Sequence, residues 1–337
     1  MHGALVGVRW RLAGIRIGLQ NHGQLEFSSN ALKASLLKTV PRLVGGRSNV
    51  DNLLIWRCFS STQEKCIVMK FAICNELYQD WPHEQAFSHA AQLGYRGVEI
   101  APFTLAESVY DVSQSQRQKL RELADSLEIE IVGLHWLLAK TNGLHLTTSD
   151  REVRKKTADY LGELARLCGD LGGQVMVFGS PPQRNLLPGV TPEQGFDYAV
   201  EVFSCVAPVL EECGVTLALE PLGPEEGNFM LTAESAIEIA KAVDSSHVKL
   251  HLDVKAMSTE VKTIPSIIKD SQDWLVHFHA NDPNRRGPGM GEVDFEPIFA
   301  ALKGVNYDGW VSVEVFDYEP GIDALAEQSI RYMQELV

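Results

Sequence analysis

Leu217-Ala218-Leu219-Glu220-Pro221 is a short apolar run that ends in a carboxylate and a proline. The pattern recurs three times toward the C-terminus. Leu250-His251-Leu252-Asp253 ends in a second carboxylate, Val276-His277-Phe278-His279 in an imidazole, and Val311-Ser312-Val313-Glu314 in a third carboxylate. Runs this short, bounded by polar or turn residues, read as strands. Their lack of clean alternation suits a sheet covered by helices on its outer face.

Working outward from these runs, the rest of the chain repeats the rhythm. Strands are predicted over 71–74, 97–100, 130–134, 174–178, 215–219, 248–252, 274–278 and 310–313. Helical periodicity follows over 84–93, 114–126, about 150–171, about 191–213, 232–243, 265–268, 295–302 and 322–333. Gly94 offers a C-terminal stop, Asp150 and Thr232 are candidate N-caps, and Glu234 lies in a first turn. Pro181, Pro182 and Pro188 are expected to keep their segment out of regular structure. Eight units between residues 69 and 337 match an α/β (β/α)8 TIM barrel. A doubly wound sheet competes, but Cys74-Asn75-Glu76-Leu77 after the first strand is a poor phosphate cradle.

Residues 1–68 read as a separate, non-barrel extension, with neither strand nor helix periodicity sustained. They carry 9 Lys+Arg against 3 Asp+Glu, while the remainder carries 21 against 41. Scarce acids with frequent Arg and Ser have the flavour of a transit peptide, but Met69 as the true start, or a dispensable tail, is the preferred reading. The formal charge of -14 disfavours nucleic-acid binding, which depends on Lys and Arg against phosphates. No apolar run is long enough for a membrane helix. The six cysteines form no close pair and read as reduced, mostly buried thiols in a cytoplasmic protein.

In a barrel, chemistry gathers where strands pass into the following loops, and Glu220, Asp253, His279 and Glu314 all occupy such places. A carboxylate beside buried residues needs a cation or a strong hydrogen-bond network. One divalent ion shared by the four would serve, and three carboxylates with one imidazole suit Mn2+, Mg2+, Co2+ or Zn2+. Singly, a strand-end Asp is more often a helix cap. His277 and His251 stay open as alternatives, because alternation puts each on the same face as His279 and Asp253, respectively.

The chain resembles the xylose-isomerase-like superfamily of sugar isomerases and epimerases, in particular D-tagatose/D-psicose 3-epimerases and hydroxypyruvate isomerase-like proteins. The resemblance covers residues 69–337. It rests on Leu219-Glu220-Pro221-Leu222 with Glu226, Leu252-Asp253, His277-Phe278-His279 with Asn284-Arg285, Gly289, Gly291, and Val313-Glu314. It implies Glu220, Asp253, His279 and Glu314 as metal ligands, selecting His279 over His277, with Mn2+ the foremost ion. It implies proton transfer by Glu220 and Glu314, and substrate contacts from Glu226 and Arg285. His135, Trp136 and Glu99 are further pocket candidates at strand ends. One departure is that Ala256 stands where the epimerases carry a substrate-contacting His three residues after the ligand Asp.

The expected activity is metal-dependent isomerisation or epimerisation of a sugar or keto-sugar through a cis-enediolate. One glutamate removes a proton beside a carbonyl and the other returns one. Alternatives sharing the site are dehydration of a keto-sugar or keto-inositol, hydroxypyruvate isomerisation, and noncatalytic sugar binding. The partners expected are a small sugar or keto-acid and copies of the chain, as a homodimer or homotetramer.

Overall fold

The computed structural model describes residues 69–337 together with Trp10–Leu12 and Ile15–Ile17. The chain divides into two units, Met1–Cys66 and Ile67–Val337. In the first unit β1 (Trp10–Leu12) and β2 (Ile15–Ile17) pair antiparallel, Arg11 opposite Arg16. This small hairpin is ordered structure the sequence pattern did not announce. The other expectations for residues 1–68 lie outside the described residues.

The second unit is a closed parallel barrel of eight strands. They are β3 (Lys70–Cys74), β4 (Gly97–Ile100), β5 (Glu130–Leu134), β6 (Val175–Phe178), β7 (Thr216–Leu219), β8 (Val248–Asp253), β9 (Leu275–Ala280) and β10 (Trp310–Val313). Each strand neighbours the next in sequence, and β10 closes onto β3 with Val311 opposite Phe71. The long helices are α1 (His83–Leu93), α2 (Gln114–Ser126), α3 (Arg151–Asp170), α5 (Pro192–Cys213), α6 (Ala233–Val243), α8 (Ile264–Asp270), α9 (Glu296–Gly304) and α10 (Ile322–Glu335). Two one-turn helices, α4 (Pro181–Arg184) and α7 (Val254–Met257), sit in the loops after β6 and β8. The first corrects the irregular segment expected at Pro181: proline lacks the N–H that a first helical turn leaves unbonded anyway, so it starts a helix readily.

Local chemistry explains the boundaries. Asp150 accepts from the N–H groups of Glu152 and Val153, and Thr232 forms a capping box with Ser235. Gly94 ends α1 at φ 99°, where a side chain would be strained. Most buried apolar residues lie between the strands and the helices that cover them. A separate cluster of Ala72, Val132, Val175, Ala218 and Trp310 fills the barrel itself, and a Cβ at Gly97 would come within 2.9 Å of the Trp310 ring. Above that apolar plug the barrel becomes polar. Strand pairing is irregular between Val98 and Glu99 and between Leu250 and His251, and such irregularities re-aim side chains. Of the described cysteines, all free, Cys74 and Cys168 are buried, Cys213 is half-buried and Cys205 is exposed. Among the described residues no helix is long and apolar enough to cross a membrane.

Candidate metal centre and active site

Four consecutive strand ends deliver the candidate ligands. Glu220 follows β7, Asp253 ends β8, His279 lies in β9 and Glu314 follows β10. Register sets Asp253 beside His279, and His279 beside Ser312, two residues before Glu314. All four are almost wholly buried. Ligand atoms of Glu220, His251, Asp253 and His279 lie within 4.8 Å of one another, and the Glu314 carboxylate joins them through His279 Nδ1 at 3.0 Å.

Each side chain is held by a neighbour. Asp253 Oδ1 accepts from the Ala256 N–H at 2.7 Å, so this ligand candidate also caps α7. Asn281 Nδ2 donates to Asp253 Oδ2 at 2.5 Å, and Asn281 Oδ1 accepts from the Lys255 N–H. Trp136 Nε1 donates to Glu314 Oε1 at 2.7 Å from a left-handed backbone, φ 50°. The Glu220 carboxylate accepts no hydrogen bond among the described residues. Gly179 makes its cradle, since a Cβ there would fall 2.1 Å from Glu220 Oε2. Arg184, fully buried, donates to the backbone carbonyls of Glu220 and Met230, fixing the chain at the Glu220-Pro221 corner. Burial pushes its guanidinium down to about 10.

A second layer lies beneath. Glu99 is completely buried, with Oε2 2.7 Å from His277 Nε2 and Oε1 3.2 Å from His279 Nε2. Cys74 Sγ approaches the same His279 nitrogen at 3.9 Å. The structure thus puts His277 on Glu99 and leaves His279 spanning Glu99 and Glu314. His135 Nε2 lies 2.6 Å from Glu76 Oε2, while His135 Nδ1, 3.9 Å from Glu99 Oε1, and Glu76 Oε1 are buried with no hydrogen-bond partner among the described residues.

These contacts divide the carboxylates. Burial raises the Glu220 carboxyl well above its ordinary range, and Glu314 and Asp253 raise it further. Burial likewise pushes Asp253 up to about 6, against the pull of Lys255. Burial also acts to raise Glu314 and Glu99. In Glu314 it is outweighed by His279, and in Glu99 by His277 and His279, so both end below the usual range. Burial disfavours the His279 imidazolium, but Glu314 and Glu99 outweigh it and raise the group well above its ordinary value.

The residues present fit a divalent cation. Glu220 and Asp253 are costly to ionise side by side where they are buried, and a cation between them removes that cost. Three carboxylates and an imidazole form a mixed oxygen and nitrogen donor set of the kind first-row divalent ions accept.

The remaining candidates lie nearer the mouth. Glu226 pairs with Lys255 Nζ at 2.5 Å, so the lysine beside Ala256 occupies an ion pair at the site rim. Arg285 is exposed, at φ 72°, with its guanidinium carbon 6.0 Å from the Phe316 ring centre. Phe316 stacks on Trp136 at 5.9 Å, and Phe103 tilts against Trp136 at 5.7 Å. Beside this aromatic row a cavity of about 670 Å³ is lined by Asn75, Glu76, Phe103, Trp136 and Tyr318 among others. A larger cavity, about 850 Å³, shares Phe103 and Lys140 with it and contains none of the candidate ligands. Sequence reading passed over Arg184, Asn281, Gly179, Glu76 and Phe316. Only Asn281 and Phe316 carried a signal, each two residues beyond a candidate ligand in the loop that leaves the strand at the mouth.

The chain matches the xylose isomerase-like TIM barrel family over residues 87–336 and belongs to it. It is 29% identical over 244 residues to D-psicose 3-epimerase of Ruminiclostridium cellulolyticum, covering 71% of this chain and 80% of that one. It is 24% identical over 268 residues to a probable ketose 3-epimerase of Synechocystis sp., covering 75% and 90%. The fold superimposes on 3-keto-D-glucoside 4-epimerase from E. coli with a TM-score of 0.69 at 18% identity, covering 80% of this chain and 100% of the other. Family, fold and the cluster of ligand-bearing side chains together make the chain an enzyme of the metal-dependent isomerase and epimerase kind.

Proposed function

We propose that the chain epimerises a ketose at the carbon beside its carbonyl, with Glu220 and Glu314 as the two proton carriers. The observation that carries this reading is the convergence of those two glutamates. They leave the barrel from β7 and β10, with β8 and β9 between them, and meet around Asp253 and His279. Carboxylates arriving from opposite flanks of one site suit removal of a proton from one face of a planar intermediate and its return to the other. The 3-epimerase relatives favour a ketose as substrate and C3 as the centre.

A bound divalent ion, Mn2+ foremost, would supply Lewis-acid polarisation of the carbonyl and stabilise the negative charge of the enediolate. Asp253 and His279 would hold the ion with the two glutamates. Glu314, held by the Trp136 N–H, takes the carbon-bound proton, and the C–H electron pair becomes the enediolate double bond. Glu220, carrying a proton in this direction of the reaction, donates it to the opposite face. Solvent exchange restores both carboxyls. Glu226 and Arg285 orient hydroxyls at the rim, the Trp136–Phe316 pair covers the apolar edge of the sugar, and Glu99 and His135 act from beneath by positioning.

Incubation of the Mn2+-loaded protein with D-fructose, D-psicose and D-tagatose in deuterated water tests this. Deuterium should enter at C3 of the epimer, and Glu220→Gln and Glu314→Gln should each abolish that entry while metal still binds. Metal-loaded protein that exchanges no carbon-bound proton in any ketose would overturn the proposal.

A further inference from the structure

We propose that His251 is a fifth protein ligand to the divalent ion, giving this centre two imidazoles. The inference rests on the metal-dependent reading above and adds a residue that the four-ligand pattern lacks. His251 lies two residues before Asp253 on β8, paired with His277, where the strand register shifts. Its ring packs 4.1 Å from the His279 ring at 70°.

The other imidazoles of the barrel interior are engaged. His277 reaches Glu99, His279 reaches Glu99 and Glu314, and His135 reaches Glu76. His251 is fully buried, and among the described residues neither of its ring nitrogens has a hydrogen-bond partner. Leaving a buried polar group unpaired costs about 1–3 kcal/mol, and an apolar side chain would fill the same place without that penalty. Its Nε2 stands 3.6 Å from Glu220 Oε1. That is too long for a hydrogen bond. It is close to the spacing of two donors on one ion, since atoms bonded at about 2.1 Å and roughly 110° apart are separated by about 3.4 Å. Ligand atoms of Glu220, His251, Asp253 and His279 share one 4.8 Å neighbourhood.

Two nitrogens and three carboxylates shift preference toward Co2+ and Zn2+ relative to Mg2+, because imidazole suits the later ions. The test is X-ray absorption on the full chain loaded with one equivalent of Co2+, counting imidazoles by their multiple-scattering signature. Wild type should show two and His251→Met one. Co2+ affinity, by chelator competition, should fall at least about tenfold in His251→Met and His251→Gln, with Mg2+ affinity falling less. One imidazole in wild type overturns the inference and leaves the four-ligand reading standing. Two imidazoles that persist in the folded variant overturn it in favour of another histidine. Wild-type protein that binds no divalent ion overturns both readings.

Discussion

Glu99→Gln isolates the second layer. The wild-type carboxylate is wholly buried, 2.7 Å from His277 Nε2 and 3.2 Å from His279 Nε2. Its charge receives the Nε2 proton of His279 and thereby turns Nδ1, with its lone pair, toward the ligand cluster. Glutamine keeps the shape but offers one acceptor and one amino group. One imidazole therefore loses a charge-assisted bond, worth about 1.5–3 kcal/mol, and both lose an opposing charge. Breaking a buried ion pair from one side costs about 3–5 kcal/mol, so roughly 3 kcal/mol of stability should disappear. In a barrel of this size that is about 6–12 °C in Tm. An amide N–H facing His279 Nε2 also favours the wrong tautomer, and metal affinity should fall about 10- to 100-fold. Thermal melts in chelator and Co2+ competition titrations measure the two effects separately. A variant with wild-type Tm and wild-type Co2+ affinity would refute the positioning role.

Other outcomes follow from the same contacts. Trp136→Phe retains an aromatic ring beside Phe316 but removes the 2.7 Å donor to Glu314, so kcat should fall about 10- to 100-fold with KM changed much less. Arg184→Met leaves the Glu220 carbonyl unpaired, while the Met230 carbonyl keeps the Leu222 N–H, and should cost about 1–3 kcal/mol by denaturant unfolding. In metal-free protein the Asp253 carboxyl sits at about 6, and Glu220 and His279 are also raised. At these three groups the native state holds more protons than the unfolded chain, so their contribution to metal-free stability should decline as pH rises from the ordinary carboxylate range through 6 and beyond. Metal binding must displace those protons. Affinity should therefore climb by at least about tenfold per pH unit below 6 and keep rising above it while Glu220 and His279 still hold protons, with proton release visible by calorimetry in buffers of different ionisation enthalpy.

Much of the barrel was legible because its signals are local. An apolar run ending in Glu220 or Glu314, a cap at Thr232 and a stop at Gly94 each declare themselves within a few residues. Proximity of the four candidate ligands was legible for the same reason: closing the barrel brings every strand end to one mouth. What the pattern could not supply depends on loops that fold back. Arg184 reaches Glu220 from a different strand–helix unit, and Gly179 matters only because a side chain from β7 lies against it. Glu99 and His135 are strand-end residues like the others, yet they pair with His277, His279 and Glu76 below the mouth. Depth in the barrel depends on strand stagger, which shifts at Glu99 itself and at His251, and periodicity carries no record of it.

That stagger bears on how two identical side chains take different roles. Glu220 and Glu314 are both buried glutamates at strand ends, and their separation along the sequence says nothing of which holds a proton. Their neighbours decide it. Glu220 faces Asp253 and Glu314, carboxylates that make its ionisation costly, while Arg184 is committed to backbone carbonyls and not to the Glu220 carboxylate. Glu314 has His279 Nδ1 3.0 Å away and accepts from the Trp136 indole N–H. A cation at the centre would lower both groups, and the Trp136 donor to Glu314 would remain the difference between them. For an epimerase the configuration of the bound epimer fixes which face carries the proton, and in the reverse direction the two glutamates exchange roles. Swapping the donors around the glutamates should therefore change the pH dependence of turnover in both directions, read from initial rates with each epimer, while the equilibrium ratio of the epimers stays fixed.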